Sequence, residues 1–273
     1  MTERMSNEEY RLLKQQEKED VFEMLSDATQ SLLSADKLRE YADLQAKLFG
    51  HSASNVLLIM EQKPESTWVR TFNDWKSDNV SLKKGEKGIL TLVADYYEKP
   101  DGTMGMTSKV EKLFDISQTA AADRNVARPV YRSAAELLME CSPQTIEKPE
   151  LPDEAYALYD PQTNEIHVKE GLDPDMKFFV IAREQAVAML TRDEVLGRED
   201  VIPQAEFSAY LVTKRYGLNA PDIDFGRMSE SFHGMEEKKV REELGGMRFT
   251  ADRIHHKMQE QVEISRGHRE AER

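Results

Sequence analysis

The stretch from His51 to Val93 constrains the fold more than any other part of the chain, because it crowds start and stop signals for two helices and a strand into one short module. Ser52 and Ser54 stand as caps before the apolar run Val56-Leu57-Leu58-Ile59-Met60. Lys63-Pro64 ends that helix, since the residue before a proline is pushed out of helical geometry. Thr67-Trp68-Val69-Arg70 reads as extended. Thr71 then caps a short helix, Phe72-Asn73-Asp74-Trp75, with Asp74 three residues on as the other half of a capping box. A basic, glycine-punctuated turn, Lys83-Lys84-Gly85-Glu86-Lys87-Gly88, leads into the strand Ile89-Leu90-Thr91-Leu92-Val93.

The flanking sequence extends this pattern. Residues 6–32 read as helix, and a second helix from Asp36 to Phe49 carries Leu38, Tyr41, Leu44 and Leu48 on one face before Gly50 closes it. Thr91 to Tyr97 and Ser108 to Ile116 pair as a hairpin about Pro100-Asp101-Gly102-Thr103. The chain is Ala-rich and irregular from Thr119 to about Arg128, and Ser133 to Met139 reads as a short helix. Between Cys141 and Asp153 prolines alternate with acids, which predicts an extended linker. A second hairpin follows, Ala157-Leu158-Tyr159 against Glu165-Ile166-His167-Val168. Asp173, with Pro174 at the first helical position, opens a long helix to Arg192. Further helices are expected from Pro203 to Tyr216 and from Gly234 to Leu244, and the charged chain beyond Met247 is expected to fray. The expected fold is α+β: helices with a small antiparallel sheet over residues 1–125, a linker over 126–153, a mostly helical part with a short hairpin over 154–250, and a tail over 251–273.

Composition narrows the function. A chain of 273 residues is long enough for two domains, each with its own core. The charged N-terminus is unlike a signal peptide, no apolar run reaches the length of a membrane span, and a lone cysteine fits a reducing cytoplasm, where we expect the protein to reside. Cys141 has no histidine near it in sequence and is not read as a catalytic thiol. The net charge of −14 argues against a general nucleic-acid binder. Its distribution softens that: residues 1–125 hold 17 basic against 22 acidic side chains, whereas Glu136 to Asp175 hold 11 acids against Lys148 and Lys169 alone. Any nucleic-acid affinity should therefore be modest and steeply salt-dependent.

Within the first module the residue types suit an extended polyanion. Lysine ammonium groups and glycine-turn N–H groups hold phosphate, and Lys83, Lys84 and Lys87 with Gly85 and Gly88 supply both. Trp68, Phe72 and Trp75 are faces on which unpaired bases could stack. The other reading stands beside this one: Phe72 and Trp75 lie three apart on a short helix, a spacing that serves a core, and a Lys-rich turn also serves as a solvated hairpin.

In order along the chain, Ser-x-x-Asn-x-Leu-Leu-Ile from Ser52, Gln-x-Pro from Gln62, Phe-x-x-Trp from Phe72, Lys-x-Gly-Glu-Lys-Gly-Ile from Lys83 and Phe-Asp-x-Ser-Gln-Thr from Phe114 resemble the N-terminal single-stranded-DNA-binding domain of ArdC-type antirestriction proteins. The resemblance implies single-stranded DNA as partner, an origin on a plasmid or conjugative element, and a restriction or conjugation protein as a further partner. The DNA-binding candidates are then Asn55, Trp68, Arg70, Trp75, Lys83, Lys84 and Lys87. It also implies a C-terminal part resembling a gluzincin-like metallopeptidase, in which H-E-x-x-H on a helix and a downstream Glu hold zinc. Here the matching stretch is Val180-Ile181-Ala182-Arg183-Glu184-Gln185-Ala186-Val187, so Arg183 and Val187 stand where the histidines would be. Glu184 and, downstream, Glu206 are kept. A guanidinium cannot coordinate a metal, so no cofactor, no metal and no enzyme activity are expected. His167, on a strand that runs along the cleft in such peptidases, is the one candidate substitute ligand, set against its reading as a surface histidine. An Arg183–Glu206 ion pair is expected to join the two helices in place of the metal. An alternative function is an acidic protein-interaction module that mimics DNA through Glu136–Asp175 and binds a DNA-processing enzyme; a flexible linker there would not give it fixed charge spacing.

Overall fold

Ser6 accepts a hydrogen bond from the Glu9 N–H while the Glu9 carboxylate accepts one from the Ser6 N–H, and this box starts α1 (Asn7–Ser31). The computed structural model describes residues 6–122, 134–193 and 195–271. The first half of α1 leaves Tyr10, Leu12 and Leu13 exposed; burial begins at Val21 and continues through Leu25 and Ala28. α2 (Ala35–Lys47) buries Leu38, Tyr41 and Leu44, and α3 (Ala53–Gln62) starts where the Ser52 hydroxyl accepts from the Asn55 N–H.

The first sheet holds β1 (Val69–Thr71), β2 (Ile89–Glu98) and β3 (Met104–Asp115) in the order β1-β3-β2, all antiparallel. Between β1 and β2, α4 (Phe72–Ser77) begins at the capping box of Thr71 and Asp74. The register sets Ile89 opposite Leu113 and Tyr97 opposite Gly105. A Cβ on Gly105 would lie 2.5 Å from the Tyr97 ring, so the ring lies directly on the glycine and fixes the register.

Residues 144–148, part of the expected linker, are β4 (Gln144–Lys148) of a second sheet. β4 runs parallel to β6 (Glu165–Lys169), which pairs antiparallel with β5 (Ala157–Asp160), in the order β4-β6-β5. Pro143 and Pro149 flank this strand and do not interrupt it, and the ends of strands are where proline is tolerated. α5 (Ala134–Met139) precedes it with Leu138 fully buried; residues 126–133 of the expected linker lie outside the described residues.

Four helices complete the chain: α6 (Pro174–Leu190), α7 (Arg198–Arg215), α8 (Phe225–Ser231) and α9 (Glu237–Ala271). α7 starts ahead of Pro203, because Asp200 accepts a hydrogen bond from the Gly197 N–H and caps the helix earlier. α9 also departs from expectation. Met247, Ala251, Ile254 and Met258 are buried along it, so the expected fraying tail is packed as far as Met258. One apolar residue per turn among dense charge is a faint stripe, and only a partner helix makes it bind. A single buried cluster runs from Val21 in α1 through α2, α3, α6 and α7 to Met258, so the two halves share one core instead of closing one each. A smaller cluster, Trp75, Val80, Phe114, Ile116 and Ala121, packs beside the first sheet. No helix among the described residues is long and apolar enough to cross a membrane.

Candidate functional site

Most residues quoted for the N-terminal resemblance turn out to build the module. The Asn55 side chain donates to the Leu92 carbonyl (3.0 Å) and accepts from the Leu92 N–H (2.9 Å). Gln62, two turns on, does the same for Leu90, with both bonds at 2.8 Å. Two side-chain amides of α3 therefore take the place of a neighbouring strand along the outer edge of β2. Asn55 is spent on that edge and is not placed to meet a ligand. Trp75 is only 1% exposed and its Nε1–H donates to the Phe114 carbonyl (2.8 Å), so it belongs to the core and offers no face to a base.

The Phe-Asp-x-Ser-Gln-Thr segment is a bracket. The buried Asp115 carboxylate accepts from the N–H groups of Thr67 (2.8 Å), Trp68 (3.0 Å) and Ser117 (3.0 Å). Burial pushes this carboxyl up, and the three N–H groups more than offset it, leaving it below the usual carboxylate range. Gln118 donates to the Lys87 carbonyl and to Glu86, and its own carbonyl accepts from the Lys83 N–H, which bolts down the basic turn. The glycines of that turn answer to backbone and packing demands: Gly85 has φ +87°, and a Cβ on Gly88 would sit 2.8 Å from the Lys112 Cβ. The Lys83 ammonium donates to the Ser117 carbonyl (2.8 Å).

What is left facing solvent is a smaller set. Trp68 is 39% and Phe72 51% exposed. Trp68 stands edge-on to Trp75, with ring centroids 5.0 Å apart, and the Arg70 guanidinium lies 5.7 Å from the Trp68 ring centre while pairing with Asp78. Lys84 and Lys87 are exposed and, among the described residues, form no ion pair. This is an aromatic face braced from behind and flanked by cations.

In the second half, Glu184 on α6 is fully buried and heavily bonded. Arg198, at the start of α7, grips it with a fork at 2.5 and 2.8 Å. Arg183 adds a third contact at 2.9 Å, and the Tyr159 N–H of β5 donates to the same carboxylate at 2.9 Å. Arg183 also donates to the Ala157 carbonyl (3.3 Å), so the outer edge of β5 is closed by helix side chains much as that of β2 is. The expected Arg183–Glu206 pair exists only as a 4.0 Å approach; the near partner of Arg183 is its neighbour Glu184, because the Arg198 fork holds that carboxylate beside it. Burial pushes the Glu206 carboxyl up, against the pull of Arg183 and Arg227. Val187 is buried and apolar. His167 pairs with Glu165 on its own strand (3.3 Å). Cys141 is buried and its thiol is pushed up to about 11, an inert state.

Sequence reasoning missed Arg198 and the edge role of Gln62. No local spacing ties residue 198 to residue 184; only the packing of α7 on α6 does.

Residues 35–134 match the family model of the N-terminal domain of anti-restriction factor ArdC. Two solved structures share the fold, both of the antirestriction protein ArdC from the R388 plasmid. The metal-free form is 15% identical, with 77% of this chain and 86% of that chain covered and a TM-score of 0.50. The Mn(II)-bound form is 16% identical, with 77% and 84% covered and the same TM-score. No curated protein sequence matches the chain. Residues 35–134 are thus similar to the ArdC N-terminal domain, and the chain shares the α+β fold of those two structures.

Proposed function

We propose that this protein binds single-stranded DNA and acts, without catalysing a reaction, as an antirestriction-like accessory factor of a plasmid or conjugative element. The observation that carries the reading is the exposed Trp68 face, braced by Trp75 and flanked by Arg70, inside the segment matched to an anti-restriction domain. An aromatic ring with cations beside it takes bases by stacking and phosphates by charge, whatever the sequence. Phe72, Lys84 and Lys87 widen that surface, and a restriction or conjugation protein is a further partner of the same reading.

The donor set at Arg183, Glu184, Val187 and Glu206 does not fit the metal that one relative holds. Two guanidinium groups occupy Glu184, and a valine and an arginine offer no lone pair to a cation. Charge balance at the buried carboxylate comes from Arg198 and Arg183, so the second half serves as scaffold.

A second reading keeps one observation in its favour. The acids Glu147 and Glu165 stand on strands β4 and β6 of a folded sheet, so the fixed charge spacing that DNA mimicry requires is available there.

The test is fluorescence anisotropy of labelled single-stranded and duplex oligonucleotides with the full chain at two salt concentrations. Salt-sensitive preference for the single strand is expected. Trp68→Ala should cost about 1–3 kcal/mol of binding, the worth of one stacked base, and Lys84→Ala/Lys87→Ala should flatten the salt dependence. Absence of binding at low salt would sink the DNA reading and turn attention to protein partners of the acidic strands.

A further inference from the structure

α1 carries three cations, Arg11, Lys14 and Lys18, among the acids Glu8, Glu9, Glu17, Glu19, Asp20, Glu23 and Asp27. The three stand at i, i+3 and i+7, one face of a helix, and span about 10 Å along its axis. All three line an open groove of 660 Å³ between α1 and the Ser108–Val110 stretch of β3, together with Tyr10 and Gln15, and none of the seven acids of α1 lines it. In a chain of net charge −14, the three cations of this helix share one wall, with Glu17 beside them paired to Lys14 and to Lys112 of β3.

The floor of the groove is an open edge of the first sheet. β1 pairs with only Leu113 to Asp115 of β3, and among the described residues no strand or side-chain amide closes β3 from Met104 to Lys112 as Asn55 and Gln62 close β2. Lys18 reaches across to the Thr107 hydroxyl (3.1 Å), which sets the width. Just beyond the groove the hairpin exposes Tyr96 (66%) and Met106 (67%), which face each other across the pair, and Tyr10 (54%) stands at the other wall. α1 lies outside the residues matched to the ArdC N-terminal domain, so this wall is an addition to that domain.

We infer that the groove between α1 and β3 is a second contact for single-stranded DNA, with Arg11, Lys14 and Lys18 on the phosphates and Tyr10 and Tyr96 as faces for bases. This rests on the single-stranded-DNA reading above and extends its footprint from the Trp68 surface to the far end of the sheet. Cations on one wall and exposed aromatics favour a nucleic acid over the other occupant an open strand edge invites, an extended acidic peptide.

The experiment titrates the full chain, its Arg11→Ala/Lys14→Ala/Lys18→Ala variant and a charge-keeping Arg11→Lys/Lys14→Arg/Lys18→Arg variant into labelled oligothymidylate and, separately, labelled polyglutamate. Circular dichroism of each checks that α1 is intact. The alanine variant should bind oligothymidylate at least about tenfold more weakly, with the slope of log affinity against log salt shallower by about 2, the value for three lost single-strand phosphate contacts. The charge-keeping variant should bind like the parent. Parent and alanine variant binding alike would overturn the groove and leave the Trp68 surface standing. Failure of the parent itself to bind would remove both. Polyglutamate binding that alone responds to the alanine variant would assign the groove to an acidic peptide instead.

Discussion

A single carboxylate shows how a site is recast by its neighbours. Glu184 is a carboxylate on α6, yet it is fully buried, forked by Arg198 and touched by Arg183 and the Tyr159 N–H. A buried ion pair of this kind need not add net stability over an apolar pair, but removing one partner strands the other. Arg198→Ala should cost about 2–3 kcal/mol, since Glu184 keeps Arg183 and one backbone N–H as partners. The check is urea unfolding, where the midpoint falls with the slope unchanged. Arg198→Lys should recover only part of the loss, because an ammonium keeps the charge and not the fork. An Arg198→Ala midpoint equal to the parent's would show that Glu184 is held adequately without it.

At the scale of elements, both sheets solve the same problem in the same way. An edge strand presents unpaired N–H and C=O groups that invite another chain. On β2 these belong to Leu90 and Leu92 and are met by Gln62 and Asn55 of α3; on β5 they belong to Ala157 and Tyr159 and are met by Arg183 and Glu184 of α6. The Ser-x-x-Asn and Gln-x-Pro signatures thus record a helix laid along a strand. Asn55→Ala should destabilise by about 1–2 kcal/mol, the worth of two edge bonds. Hydrogen exchange is the sharper probe: the Leu92 amide should lose protection in Asn55→Ala and the Leu90 amide in Gln62→Ala. Weakened DNA binding in Asn55→Ala with the Leu92 amide still protected would return Asn55 to the ligand surface.

At the scale of the molecule, the shared core governs what can be separated. Tyr41 of α2 stacks on Phe207 of α7 with centroids 6.5 Å apart, Tyr210 of α7 donates to Asp43 of α2 at 2.8 Å, and α9 packs against α1, α3, α6 and α7. A fragment of residues 1–125 would expose the faces of α2 and α3 that these helices cover. It should therefore unfold without a cooperative transition, while the whole chain unfolds in one, as followed by circular dichroism in urea. A sharp transition in the fragment would show that the first sheet and α3 suffice as a core.

The division between what the sequence determined and what the tertiary structure decided follows the range of the forces. Caps at Ser52, Thr71 and Asp173, the stop at Lys63-Pro64 and the Asp101-Gly102 turn act within one turn of backbone, and the α+β character and most helices were legible from them. That Arg183 and Val187 offer no lone pair to a metal was legible too, because it is a matter of side-chain chemistry alone. What could not be read is every feature that joins distant residues. Asn55 meets Leu92 across 37 residues, Arg198 meets Glu184 across 14, and β4 becomes a strand only because β6 lies beside it. Met258 becomes core only because the rest of the fold covers it. Hydrogen-bond groups and apolar stripes carry no mark of their partner in the local sequence; burial chooses among them, and burial belongs to the whole fold.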